Sequence, residues 1–378
     1  MYPSRPIASR ALLLSFSSFV RPFSSSPASS DKVDVVVIGC GLPKKSMGWY
    51  HLEQLLTMPS VKVKAVVEPF YLSVNPADVP QTFASMVNSL KNDITFTSSV
   101  SELANFTEKT IVLIAGRTSD NPKLFQQALE KGAGCIYLEK PGAPSFEELQ
   151  RMKALALLTT PPTRIFVGYN KNVTNYVKEA LKLSESINNS QVEFIHNNSY
   201  TRDGLDECFE RNSEGMLKNM AIHELAVLVS FFGVKVSNIS KLIVDKENSE
   251  KLTLNGRTDF SKVRFTITTK DNKSVTVTAD RCGGEVAHAI VRDKSGKVVG
   301  TFDCPNSEEV KEVEEQVKAD PEMMGYFFSN SKDYLQLKTE VVDMYLGGGS
   351  EGTVATIDVA IEALKLAEWV TSELEVQL

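Results

Sequence analysis

The chain has 378 residues, 42% hydrophobic and 23% charged, with a net charge of −6. That is ample chain for a large core; it holds no apolar run of the ~18 residues a membrane span needs, and the acidic balance lacks the basic footprint of a nucleic-acid binder. Five cysteines (40, 135, 208, 282 and 304) are an odd number with no CxxC pair, so they read as reduced thiols, not as disulfides or a zinc site.

Residues 1–30 contain Arg5, Arg10 and Arg21, ten serines and no acid, the composition of an organelle transit peptide. Arg21-Pro22-Phe23-Ser24-Ser25 resembles a mitochondrial cleavage site. A mitochondrial address is therefore expected, with a plastid as the alternative. Without this leader the body holds 38 basic and 47 acidic residues.

The body opens with a β-branched run, Val33 to Ile38, that ends on Gly39 and reads as a buried strand. Met47 to Met58 reads as a helix and Val61 to Val67 as a second strand, stopped at Pro69. A short strand at Ile94 to Phe96 precedes a short helix near Ser101 to Asn105. Thr110 to Ala115 is another strand. Asn121-Pro122 supplies a cap and a first-turn proline for a helix to about Lys131. Cys135 to Leu138 is a strand, Ser145-Phe146-Glu147-Glu148 a capping box, and Arg164 to Val167 a further strand. Strands alternating with helices imply a parallel sheet.

After about residue 170 the pattern changes. Gln191 to Thr201, Val263 to Thr269, Ser274 to Ala279, Ala287 to Val291 and Val298 to Phe302 read as strands of an antiparallel meander. Glu214 to Phe232 reads as one long helix. Helices follow over Asn306 to Tyr345, broken at Pro321. Gly347 to Ser350 reads as a hinge before a last helix, Val354 to Glu375. The expected architecture is a doubly wound parallel-sheet domain (31–170), an α+β domain with an open, mostly antiparallel sheet (171–350) and a C-terminal helix (351–378).

Gly39-Cys40-Gly41 follows the first strand directly, where glycines let backbone approach a pyrophosphate at a helix N-terminus. Glu68, at the end of the second strand, can accept both hydroxyls of an adenosine ribose, which favours NAD over NADP. The third glycine of such a loop is late: Leu42 to Met47 intervene before Gly48. Lys44 and Lys45 in this longer loop could contact phosphate, including the extra phosphate of NADP.

Leu138-Glu139-Lys140-Pro141, taken with the glycine loop, resembles the glucose–fructose oxidoreductase / inositol dehydrogenase family (Gfo/Idh/MocA). Val167-Gly168-Tyr169-Asn170-Lys171 is similar to the strand that leaves that family's Rossmann domain. Gly215-Met216-Leu217-Lys218-Asn219-Met220-Ala221-Ile222-His223 is similar to its glycine, leucine, aspartate, histidine segment. The resemblance implies hydride transfer between nicotinamide and a secondary alcohol or carbonyl of a sugar, cyclitol or similar polyol. It implies a dinucleotide site over Gly39, Cys40, Gly41, Leu42, Lys44, Gly48, Glu68, Ala115, Gly116, Glu139 and Lys140. Lys140 matches the family's active-site lysine, whose charge would stabilise alkoxide and orient the nicotinamide ribose.

His223 matches the catalytic histidine, and a nearby ammonium would hold it neutral, as a base requires. Asn219 stands where the family often has Asp, one turn before His223, and is expected to contact substrate. Ala226 replaces a further Asp. Lys171 and Asn172 replace frequent arginines and are expected beside substrate. These departures admit a second reading, a dinucleotide-binding regulator without turnover. Reduction of a non-sugar carbonyl or conjugated double bond is a third. The open sheet predicts a homodimer or homotetramer. His51, on the first helix where the family tolerates histidine, is expected to be structural, and His196 and His288 fall on predicted strands with no partner motif.

Overall fold

The computed structural model describes residues 32–347 and 353–378. The predicted transit peptide, and the predicted hinge beyond Gly347, lie outside the described residues.

The first part of the chain alternates as expected: β1 (Val33–Ile38), α1 (Met47–Thr57), β2 (Val61–Val67), α2 (Gln81–Leu90), β3 (Thr95–Thr97), β4 (Thr110–Ile114), α3 (Asn121–Glu130), β5 (Cys135–Leu138), α4 (Phe146–Leu157) and β6 (Arg164–Val167). The six strands form one sheet in the order β3-β2-β1-β4-β5-β6, every pair parallel. Burial on both faces explains the near-continuous apolar runs. Val35 and Val37 of β1 face a cluster with α1, while Val36 and Ile38 face a cluster with α3 and α4. The order reverses between β1 and β4, and a doubly wound sheet opens its ligand crevice at that point. Helix α2 escaped the sequence reading because its apolar side contributes only Phe83 to the buried residues.

The second part holds α5 (Asn175–Glu185), β7 (Gln191–Asn197), α6 (Leu205–Arg211), α7 (Met216–Asn219), α8 (Ile222–Phe232), β8 (Ile239–Val244), β9 (Glu250–Leu254), β10 (Arg257–Thr269), β11 (Ser274–Asp280), β12 (Val286–Arg292) and β13 (Val298–Cys304). It ends with α9 (Ser307–Ala319), α10 (Gly325–Ser329), α11 (Ser331–Tyr345) and α12 (Ile357–Gln377). Its sheet runs β13-β12-β7-β11-β10-β8, with β9 beside β10. This corrects the simple meander. β7 inserts between β11 and β12 and pairs parallel to β11, antiparallel to β12. Local turn signals cannot report such an insertion, because they speak only of chain neighbours.

Three local expectations also change. The segment near Ser101 is a 3₁₀ turn over Val100–Glu102. Asn121 is the first residue of α3, not its cap, and its amide donates to the Gly142 carbonyl at 3.0 Å. The long helix expected over 214–232 is two. The amides of Met220 and Ala221 both donate to the Met216 carbonyl, and the ladder restarts with Leu225 on Ala221. No proline or glycine marks the break. Packing imposes it: every residue of α8 from Ile222 to Val229 is buried, so α8 takes the direction the core allows.

The two parts share a core. Helix α12 packs on both α4 and α8, and α11 lays Leu337, Val341 and Val342 on the α1 face of the parallel sheet.

Candidate active site

At the switch point, Gly39 and Gly41 both have positive φ (84° and 68°), a region that side chains disfavour. A Cβ on Gly39 would lie 2.8 Å from the Gly116 amide nitrogen, so the β1 and β4 turns touch here. A Cβ on Gly48 would lie 1.9 Å from the Gly39 carbonyl oxygen. Gly48 therefore does the work of the late third glycine, letting α1 start against β1. The extra residues form a separate turn, with Ser46 Oγ accepting from the Leu42 amide at 2.8 Å. Glu68 is buried and accepts from the Gly41 amide at 2.6 Å and the Phe70 amide at 3.1 Å. A carboxylate has about four lone-pair sites, so it can still take ribose hydroxyls. A glycine-only cradle beside a buried carboxylate fits a dinucleotide.

Other residues of the expected cofactor set are engaged elsewhere. Lys44 turns away from the glycine cradle to Asp320 at 2.9 Å and Glu322 at 3.4 Å, which holds its ammonium pKa above the usual lysine range. Lys45 is exposed. Cys40 is fully buried, and desolvation followed by the charge of Glu68 pushes its thiol pKa up, so only its backbone faces a ligand. The Glu139 carboxylate accepts from Tyr137 at 3.1 Å and meets His51 Nε2 at 2.9 Å.

Lys140 follows Glu139 at the end of β5, across a cis peptide bond to Pro141. Its Nζ donates to the backbone carbonyl of Asn219 at 2.6 Å. Burial lowers its pKa, and the Glu139 carboxylate opposes that. Asn219, expected beside substrate, contributes its main chain here. Its carbonyl, freed at the end of α7, holds the lysine, and the break after α7 takes it off the helix that carries His223. The start of α7 is fixed in turn: Asp259 Oδ1 accepts from the Met216 amide at 3.0 Å, and its Oδ2 accepts from the fully buried Arg281 at 2.6 Å.

His223 is buried, and its Nδ1 has no partner among the described residues. Burial, then the Lys140 charge, hold its pKa well below the usual histidine range, so the imidazole is neutral. It lines a cleft between the turn after β6 and the ends of β7 and β12 in the second sheet, closed by residues of α10 and α11. Lys171 lines the same cleft. Its Nζ lies 2.7 Å from Glu224 Oε1 without hydrogen-bond alignment, so this is an ion pair in contact, with Nζ donors to spare. Asn172 does not reach the cleft: it is fully buried and donates to Ser230 Oγ of α8 at 2.8 Å.

Several cleft residues lay outside the sequence reading. His196 faces His223 with ring centroids 6.3 Å apart, and its Nδ1 meets Glu224 Oε2 at 3.1 Å. Burial pushes the Glu224 carboxyl up, but His196 and Lys171 together outweigh it and hold the group ionised, below the usual range. Asp333 of α11 points at the cleft, and burial, then Glu309, push its carboxyl up to about 7. Glu224 follows His223 directly, and its adjacency to the motif was an available signal. His196 and Asp333 come from a strand and a helix whose meeting only the tertiary fold decides.

Residues 33–160 match the family model described as the oxidoreductase family, NAD-binding Rossmann fold (Gfo/Idh/MocA). No curated relative matches the chain in sequence. Solved structures match along nearly the whole chain. The scyllo-inositol dehydrogenase of Lactobacillus casei, with bound NAD(H) and scyllo-inositol, is 13% identical, with a TM-score of 0.65 over 89% of this chain and 95% of that one. A myo-inositol dehydrogenase of Corynebacterium glutamicum is 16% identical, with a TM-score of 0.63 over 89% and 95%. A probable dehydrogenase of Thermotoga maritima is 15% identical, with a TM-score of 0.68 over 92% and 98%.

Proposed function

We propose, for a chain whose nucleotide-binding domain belongs to the Gfo/Idh/MocA oxidoreductase family, that it is an NAD-using dehydrogenase acting on a secondary alcohol or the matching carbonyl of a small polyol. The observation that carries this reading is His223: a buried, neutral imidazole with an unpartnered nitrogen, facing a polar cleft and close enough to Lys140 to feel its charge.

Gly39, Gly41 and Gly116 would present backbone to the dinucleotide, with Glu68 on the adenosine ribose. Nicotinamide, when bound, supplies the hydride acceptor or donor. In the oxidation direction His223 takes the hydroxyl proton as the substrate carbon gives up hydride, and it returns the proton in reduction. Lys140 stabilises the negative charge that develops on the substrate oxygen. Lys171, with spare donors beside Glu224, and His196 orient the remaining hydroxyls. The diversion of Lys44 to Asp320 and Glu322 supports NAD over NADP, because it leaves Glu68 to meet the ribose. The composition of residues 1–30 supports a mitochondrial address, which import of a fluorescent fusion would test.

Thermal melting of residues 31–378 with NADH, with NADPH and with neither tests the cofactor. A ligand at ~100 times its dissociation constant adds about 2.7 kcal/mol, a visible rise in Tm. A rise with NADH alone is expected. A rise with NADPH alone overturns the role of Glu68, and no rise with either overturns the reading. NADH binding with no absorbance change across a panel of cyclitols and sugars would favour the non-catalytic regulator.

A further inference from the structure

One buried polar chain, running from α11 into the nucleotide domain, is left unused by this chemistry. Lys338 of α11 places Nζ 2.8 Å from Nδ1 of His51 on α1. Nε2 of His51 lies 2.9 Å from Oε1 of Glu139, which also accepts from Tyr137. All four residues are buried, and His51 is fully so. We propose that Lys338 is a positioning residue for Lys140: acting through His51, it fixes Glu139, the residue immediately before Lys140, and so ties α11 to the catalytic turn. The inference rests on the role given to Lys140 above.

The donor order follows from the groups themselves. A carboxylate only accepts, so the single proton of neutral His51 must sit on Nε2. Nδ1 is then an acceptor and needs a donor, which Lys338 supplies. Burial, then the Lys338 charge, lower the His51 pKa to about 4, so the ring stays neutral. The ring has no alternative seat. Tyr137 and Tyr334 stand edge-on to it at 5.5 and 5.6 Å between centroids. On the far side of Glu139 the fit is equally close: a Cβ on Gly168 would lie 2.6 Å from Glu139 Oε1 and from the Tyr137 hydroxyl.

Stability gives no reason for this arrangement, since an ammonium and a carboxylate with a neutral ring between them lose hydration without direct contact. Its effect falls on Lys140. The Glu139 carboxylate sustains the Lys140 ammonium against burial, and Lys338, across His51 from that carboxylate, stands in the same carboxylate's field. The groups facing Lys338 are His51 from α1, Tyr137 and Glu139 from the β5 end, and Tyr334 of its own helix, whose ring centroid is 5.4 Å away and whose hydroxyl meets Tyr326 of α10. Burial lowers the Lys338 pKa to about 7. The charge at the far end of the His51–Glu139 chain therefore changes near neutral pH.

The test uses the chain from residue 31 with NADH as the probe. The NADH dissociation constant is measured from pH 5.5 to 9 for the parent, Lys338→Met and Lys338→Arg, and the His51 tautomer is read from imidazole nitrogen-15 shifts. The parent should show an inflection near pH 7 that Lys338→Met abolishes, with at least a threefold change in the constant below pH 7. His51 should carry its proton on Nε2. His51→Gln, whose amide can accept from Lys338 and donate to Glu139, should restore most of the affinity that His51→Leu loses. Should Lys338→Met not fold, this pair of variants decides the matter. An unchanged constant and pH profile in Lys338→Met, equal affinities of the two His51 variants, or a proton on Nδ1 overturns the proposal. Absence of NADH binding in the parent would instead sink the cofactor reading, while the tautomer would still judge the Lys338 contact.

Discussion

At the scale of single residues, two side chains in the cleft are held in unusual protonation states, and each gives a prediction. His223 is neutral throughout the working range, so its loss should remove the proton acceptor and nothing else. His223→Ala should lower kcat by about 10²-fold or more while leaving NADH affinity near the parent value, measured by NADH absorbance and by titration. Retention of most of the rate would overturn the assignment. Asp333 is the opposite case, an acid whose pKa the fold raises from 3.8 to about 7. The native state then holds the proton longer than the unfolded chain. The cost to stability is absent below pH 3.8, grows through the interval and is complete above about pH 7. Asp333→Asn should therefore raise Tm at pH 8, by an amount corresponding to about 1–3 kcal/mol, and change it little at pH 4. Equal shifts at both pH values would contradict the burial of that carboxyl.

At the scale of elements, the glycine loop shows how a long insertion is absorbed without losing the contact between α1 and β1. Gly48 meets the Gly39 carbonyl because the extra residues close into their own turn and α1 still begins against β1. Gly48→Ala should cost about 1–3 kcal/mol, since backbone, not a flexible side chain, occupies the space. Gly256→Ala meets nothing within 4 Å and should cost only the strain of its positive φ, about 1–2 kcal/mol. Parallel melts would rank the two, and equal losses would mean that the α1–β1 contact yields. The same scale shows what the sequence made legible. The doubly wound sheet was readable because each buried strand carries its own apolar run between turn signals. The break after Asn219 was not, since α8 is buried all round from Ile222 to Val229 and its direction is a packing outcome. The Lys140 motif and His223 were visible as residues, whereas the Lys140 acceptor is a peptide carbonyl and has no letter.

At the scale of the whole molecule, the second sheet buries one face against α5 and α8 and leaves the other half-open. Its outward row is not the apolar patch expected of an uncovered sheet. Thr266 and Thr276 hydrogen-bond across strands at 2.8 Å, and Glu193 lies beneath Arg264 and Arg292 at 3.0 and 3.6 Å. Ile290 is half-buried among them. The dimer or tetramer expected from the open sheet rested on such a patch, so any contact made through this face should be polar and salt-sensitive. Light scattering at micromolar concentration, at low and at ~1 M salt, checks this: an oligomer that persists unchanged at high salt would contradict it.

The carbonyl at the end of α7 has a consequence for how this site tolerates change. A continuous helix would spend that oxygen on its own ladder. Here the interruption exports it, so the lysine is anchored by main chain, whatever side chain position 219 bears. Substitutions there can change the side chain without unseating the Lys140 ammonium. Replacing the peptide by an ester after Asn219, which weakens the carbonyl as an acceptor, should disturb Lys140 more than any change of side chain at the same position.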